Sequence, residues 1–439
     1  MNGGVELDMD VIQALRWLAG VTTNPEQFSQ RLKNSQDNYI EETSKKINFG
    51  ARFDSKWHGD DVVAGFFSQA KSLIDNRRAF EISTASQIIP WVKQLGQNVV
   101  LLNKIPGAME RAKRMLESTT VYPDTALFEL VLAGNYAAMG YEVEFIPEKK
   151  GIAKTPEFKC TFNKDVEFVV ECKRLQKGKY ASREEDAHLQ LIQPVEVRIR
   201  SKKMSVWIDV TYKCEVEKVP GDYLLHHLSN YCGKDYEWDD EYGVGFVRKA
   251  KLNDVKNDIE SNGSISFHTK LARLLKGRPL DDNYYNVIVS GRPDERDPRF
   301  ISKIKNASLV TWRCVCDESL EGRSRHIKST LAEIEKQVST YGLGVGHVAI
   351  DIDVQKEVAD KRREKNRAIA EAFEIESELA RLNIHYLVTR VEENHSWLVD
   401  ETLDYFCSNE LVKYVVPLVQ VFPGANIFDN DLPAWYQKC

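Results

Sequence analysis

Apolar positions along the chain change their period several times, and each change marks an element. Asp10 to Leu18 places Val11, Leu15 and Leu18 at helical spacing, and Asp60 to Ile74 and Pro106 to Leu116 repeat that pattern. Residues 1–120 therefore read as a helical region, with Trp17, Phe66, Phe67 and Trp91 as core residues in preference to a base-stacking platform. Asp124 to Met139 is apolar nearly all round, which predicts a buried helix, with Asp124 as N-cap and Gly140 as its stop. Tyr141 to Pro147 then reads as a strand. Residues 155–162 and 167–175 alternate with period two around the turn-prone Asn163-Lys164-Asp165, which predicts a β-hairpin. Ser182 to Lys203 reads as a helix with a Ser182/Glu185 capping box, kinked or split at Pro194, and Met204 to Cys214 as a further strand.

Beyond residue 214 the pattern weakens. Segment 215–283 is polar, with acid-rich Asp235 to Glu241 and one helical piece near Leu271 to Leu275, and reads as a connector or insertion. From Tyr284 an α/β pattern begins. Its strands are Asn286–Ser290, Ser308–Cys316, Gly346–Asp353 and His385–Val391; its helices are Ser324–Tyr341, with a stripe of Ile327, Leu331, Ile334 and Val338, and Val358–Leu382. The expected class is mixed α/β, divided as 1–120, 121–214, 215–283 and 284–439.

Composition narrows the picture slightly. The 439 residues are 42% hydrophobic and 29% charged, as in ordinary globular domains. No apolar run reaches the roughly 18 residues of a membrane span, and the polar, acidic start MNGGVELDMD does not resemble a signal peptide. The eight cysteines include no CxxC pair, which suggests a reducing, cytoplasmic setting.

Candidate chemistry concentrates in the hairpin. Side chains alternate faces along a strand, so Phe168, Val170 and Cys172 share one face and Val169, Glu171 and Lys173 the other. A three-residue loop at 163–165 puts Glu157 directly opposite Glu171, with Lys173 one step along, whereas a four-residue loop breaks that register. Facing carboxylates repel; a divalent cation between them turns repulsion into binding, and Mg²⁺ accepts one or two carboxylates plus water and phosphate oxygens. Ordinary solvent-facing charge is the alternative. Glu129 is the only acid past the cap of the buried helix, and needs a cation or a basic partner such as arginine.

The order Pro156-Glu157, hairpin, Glu171-Cys172-Lys173 resembles the PD-(D/E)XK nuclease superfamily over residues 124–212. That resemblance implies a restriction-endonuclease-like core of helix, three strands, helix and strand, flanked by further helices. It implies metal-dependent hydrolysis of nucleic-acid phosphodiester bonds, DNA in preference to RNA. Glu157, Glu171 and the Cys172 carbonyl would hold Mg²⁺ or Mn²⁺, Lys173 would position water or phosphate, and Glu129 would be an accessory acid. The family usually has Asp after the Pro; Glu157 stands there in this chain. The competing expectation is a catalytically degenerate protein of the same fold that binds nucleic acid or acts as a regulatory module.

Net charge of −6 excludes a uniformly basic nucleic-acid binder, but basic residues flank the proposed site. Arg174, Lys177, Lys179 and Arg183 are candidate phosphate contacts, with solvated surface charge as the alternative. No membrane partner is expected; the N-terminal region could serve a protein partner or a second copy. Gly342, Gly344 and Gly346 follow a helix and precede a strand, the reverse of a dinucleotide fingerprint. Asp351 and Asp353 share a strand face and form a secondary candidate for a cation.

Overall fold

The computed structural model describes residues 8–436 apart from 50–58, 77–78, 81, 148–154, 164, 267–268, 279, 281–283, 298–299, 373–378, 392–396, 409–411, 424–426 and 429–431. The chain opens with α1 (Met9–Val21), α2 (Pro25–Phe49), α3 (Val62–Asp75), α4 (Ile82–Leu102), α5 (Ala108–Glu117) and α6 (Asp124–Ala138). Three strands follow: β1 (Glu142–Phe145), β2 (Phe158–Phe162) and β3 (Val166–Leu175). Next come α7 (Lys179–Lys202), β4 (Val206–Tyr212), α8 (Tyr223–Asn230), β5 (Tyr236–Asp239) and β6 (Gly243–Lys249). Then follow α9 (Leu252–Asn262), β7 (Ile265–Ser266), α10 (Thr269–Lys276), β8 (Tyr284–Pro293), β9 (Phe300–Cys314) and α11 (Asp317–Arg323). The remainder is α12 (Lys328–Val338), β10 (Gly344–Asp351), α13 (Lys356–Ala372), β11 (Leu379–Val391), β12 (Trp397–Cys407), α14 (Val412–Val415) and β13 (Ile427–Phe428). Among the described residues no helix is long and apolar enough to cross a membrane.

Two mixed sheets organise these elements. The first has seven strands in the order β1-β2-β3-β10-β11-β12-β13; the second has β5-β6-β4-β9-β7, with β8 also paired to β9. Strand β10 runs parallel to β3, from Gly344 opposite Val169 to Ile350 opposite Leu175. Parallel neighbours need a crossover, and α12 packs on both strands. Its stripe of Ile327, Leu331, Ile334 and Val338 is fully buried.

This arrangement corrects the expected sheet. Residues 206–212 do form a strand, but β4 pairs antiparallel with β6 and parallel with β9 in the second sheet. The strand beside β3 is β10, and the helix over that face is α12, not the stretch after Ser182. A central strand is covered on both faces and reads as a continuous apolar run; Gly344 to Ile350 is buried throughout. Alternation in Met204 to Cys214 identified a strand without identifying its neighbours.

Three further expectations are revised. First, α7 is one helix from Lys179 with Pro194 inside it, and Gly178 is its N-cap instead of Ser182. Pro194 removes one backbone donor, but Leu191, Ile192, Val195 and Ile199 bury into the second sheet's core on both sides of it. Second, 215–283 is ordered where described: Trp238, Val247, Val255, Ile259, Leu271 and Leu275 join two cores. Its strands alternate, so acidic Glu237 and Asp239 face solvent while Trp238 faces in. Third, the boundary at 284 does not divide the architecture, because β8 and β9 belong to the second sheet and β10–β13 complete the first. Leu379 to Leu382, expected as the end of a helix, begins β11.

The N-terminal helices are a layer of the core. One apolar cluster joins Leu18, Phe67, Ile89 and Trp91 to Phe128 on α6 and to Phe168, Val345, Ala349 and Val399 on the first sheet. Trp17, Phe66, Phe67 and Trp91 are all buried, as their spacing predicts.

Candidate functional site

The hairpin register places the site. Phe162 pairs with Val166 and Phe158 with Val170, so the next facing pair is Glu157 and Glu171. Asn163 adopts φ 52° in the turn, a conformation asparagine tolerates better than most residues. The backbone of Glu157 is held on both sides: its N–H donates to the Val170 carbonyl (2.9 Å) and its carbonyl accepts from Ile146 (3.0 Å). Glu171 is fully buried beside Gly346 of β10. Phe168, Val170 and Cys172 lie in the core under α6, and Val169 in the separate core under α12, so the two faces divide as alternation requires.

Glu129 projects from α6 into the same cluster. It is 1% exposed, and Arg111 of α5 holds it through both carboxylate oxygens, one contact at 2.7 Å. Its charge lies close enough to Glu157 to raise that carboxyl. The arginine-paired alternative for Glu129 is therefore the one observed, together with its approach to Glu157. Arg111 is positioned by the start of α5. Gly107 there has φ 83°, and the Phe145 N–H of β1 donates to the Pro106 carbonyl (2.9 Å).

Lys173 lies on the Glu171 side of the strand. Its Nζ is 2.6 Å from Glu171 Oε1 and donates to Gln337 Oε1 at 2.8 Å. Gln337, on α12, in turn donates to the Thr155 carbonyl (3.3 Å). Sequence reasoning missed both Gln337 and Arg111. Gln337 had a visible signal, being polar at a position three beyond Ile334 on the inward stripe of α12. Gly346 accounts for part of the glycine run, because a Cβ there would meet Ile334 of α12 at 3.0 Å. The glycine lets the helix approach the strand.

Electrostatics follow from this burial. Desolvation, then the charges of Glu129 and Glu171, push the Glu157 carboxyl up to about 9, with Arg111 opposing. At neutral pH Glu157 holds a proton in the cation-free protein. For Lys173 burial acts downward, but the Glu171 carboxylate outweighs it and the ammonium titrates higher than usual.

Not every expected site residue joins the cluster. The Cys172 thiol lies in the apolar core, and burial raises it well above the normal thiol range. Its carbonyl is directed to the β2 side, because it lies two residues along from the Val170 carbonyl that meets Glu157. Arg174 is corrected outright as a phosphate contact. Its side chain is 4% exposed, paired with Asp351 and near Asp124 (3.8 Å), and stacked over Trp91. It shares the strand parity of Cys172 and so points into the core. Lys177 pairs with Glu185 and Arg183 with Glu217, while Lys179 is exposed. Asp351 and Asp353 separate, the first to Arg174 and the second to Arg323 and Tyr284, so they do not share a cation.

Among the described residues no group of three or more His, Cys, Asp or Glu is arranged to hold a metal ion. The residues that could hold a divalent cation are the facing pair Glu157 and Glu171. That pair offers oxygen donors only, and a cation there would replace the Glu157 proton in relieving the clustered carboxylates. No family model, curated protein or solved structure matches this chain.

Proposed function

We propose that this protein is a divalent-cation-dependent hydrolase of nucleic-acid phosphodiester bonds, with DNA as the preferred substrate. The observation that carries the reading is the facing pair Glu157 and Glu171 with Lys173 on the same side of β3. The order α6, β1, β2, β3, α12, β10, with β10 parallel to β3, supports the resemblance to the PD-(D/E)XK superfamily. In this reading Glu157 and Glu171 hold Mg²⁺ or Mn²⁺. The bound cation supplies Lewis acidity and a water of lowered pKa. Lys173, steered by Gln337, holds a phosphate oxygen or the attacking water. Of the basic flank, Lys179 is the residue most available to the substrate backbone.

The test is cleavage of single- and double-stranded DNA and RNA by purified protein with Mn²⁺, with Glu171→Ala and Lys173→Ala prepared in parallel. Activity in the wild type that disappears in Glu171→Ala supports the reading. Equal activity in all three assigns cleavage to a contaminant or another site. One observation favours a second reading, a catalytically silent nucleic-acid-binding protein: Glu129 is already neutralised by Arg111, and Glu171 by Lys173. Calorimetry separates the two, since a silent site takes up no Mn²⁺.

A further inference from the structure

Arg111 is a second cation source inside the carboxylate cluster, and the proposed chemistry leaves it without a role. Its guanidinium grips Glu129 with the two-pronged geometry that arginine offers a carboxylate. Glu129 lies beside Glu157, which faces Glu171 across the hairpin. The charge carried by Arg111 therefore reaches both proposed cation ligands through one intermediate residue. The side chain is 17% exposed against 1% for Glu129, so the arginine lies nearer solvent with the acid behind it. Within the cluster Arg111 pairs with Glu129 and Lys173 with Glu171.

We infer that Arg111 is an internal counter-ion that competes with the divalent cation for the carboxylate cluster and so sets the affinity of the site. This rests on the proposed cation site. With Arg111 clamped on Glu129, the cluster is partly neutralised and a cation gains less on entry. When a cation binds at Glu157 and Glu171, the attraction between Arg111 and the cluster weakens. The guanidinium, partly exposed, is then free to turn toward substrate phosphate, which presents the same paired-oxygen geometry. Arg111 is a positioning residue in this account: it acts on the cation through Glu129.

The experiment is Mn²⁺ binding by calorimetry, and melting temperature with and without Mn²⁺, on the full chain. Wild type, Arg111→Met, Arg111→Lys and the double variant Arg111→Met/Glu129→Gln are compared. Arg111→Met is expected to bind Mn²⁺ about tenfold more tightly or better, the effect of about 1.4 kcal/mol of removed opposition. Its melting temperature is expected to fall without metal, from the uncompensated Glu129, and to gain more from Mn²⁺ than the wild type does. Arg111→Lys keeps the charge and should stay close to wild type. The double variant removes the charge together with the stranded acid. It separates competition from misfolding by melting near wild type while losing the extra Mn²⁺ gain. Mn²⁺ affinity in Arg111→Met equal to or weaker than that of wild type overturns the inference and leaves the proposed function standing. Absence of Mn²⁺ binding in both wild type and Arg111→Met overturns both.

Discussion

At the scale of single residues, Glu157 ties the site to pH. Its folded-state pKa, about 9, lies far above the ordinary carboxylate value of about 4.3. A group raised on folding stabilises the fold in its protonated form, so the contribution is full below the ordinary value and is lost as pH rises through about 9. The cation-free protein should therefore lose melting temperature steadily from mildly acidic pH toward pH 9. In Glu157→Gln, which keeps the shape and cannot ionise, that slope should flatten. Parallel slopes in the two proteins would mean that burial and the charges of Glu129 and Glu171, against the opposing charges of Arg111 and Lys173, do not hold the proton there. Glu171 and Lys173 separate binding from chemistry in the same way. Glu171→Ala should abolish Mn²⁺ uptake and cleavage together. Lys173→Ala should keep Mn²⁺ uptake while turnover drops about 10²–10³-fold, the scale of one lost electrostatic stabiliser. A rise in melting temperature with Mn²⁺ that survives in Glu171→Ala would place the cation elsewhere.

At the scale of elements, the site depends on how closely helices approach strands. Gly107 starts α5 at φ 83°, and a Cβ there would lie 2.7 Å from the Phe145 Cβ on β1. Gly263, the C-cap of α9, has nearly the same φ (81°) with nothing within 4 Å. Both Gly→Ala variants carry backbone strain on the order of 1–2 kcal/mol. Only Gly107→Ala adds a steric displacement of α5, and with it of Arg111. Denaturant unfolding should show the larger loss for Gly107→Ala, and Mn²⁺ calorimetry should show changed affinity in that variant alone. Equal losses and unchanged Mn²⁺ binding would show that α5 yields without moving Arg111. The α12 helix has the corresponding role on the other face, where Gly346 admits Ile334 and so brings Gln337 to Lys173.

At the scale of the molecule, the second sheet is inserted between β3 and α12, after which β10–β13 complete the first sheet. Arg323 of α11 locks the insertion in place. Its guanidinium is 1% exposed and meets Glu184 of α7 (2.7 Å) and Asp353 after β10 (3.2 Å). Removing one partner of a buried charge network is costly, so the two sheets are coupled through this residue. Because β3 finds its parallel neighbour only at Gly344, the excised segment 121–214 lacks the strand that buries one side of Glu171 and Val169. That fragment should show no cooperative thermal transition by circular dichroism. A sharp melt would mean that β4 can replace β10 when the rest is absent. Pairing at such sequence separation is also slow to form.

Much of this was legible in the chain itself. Period-two alternation and the loop at 163–165 determined that Glu157 faces Glu171 and that Lys173 shares its side, because side-chain direction in a strand is a property of the backbone alone. The buried helix from Asp124, its Gly140 stop and the inward stripe of α12 were determined likewise by local geometry, although Pro123 and not Asp124 takes the N-cap position. The parity that put Cys172 in the core also put Arg174 there, although a count of nearby positive charges suggested surface. Only the tertiary structure decided that β10 and not β4 lies beside β3, that Arg111 and Gln337 enter the site, and that Lys177 and Arg183 are paired with acids. The physical reason is that periodicity states which face a segment must bury, whereas its partner is chosen by burying all such faces at once. That choice depends on segments far apart in the chain.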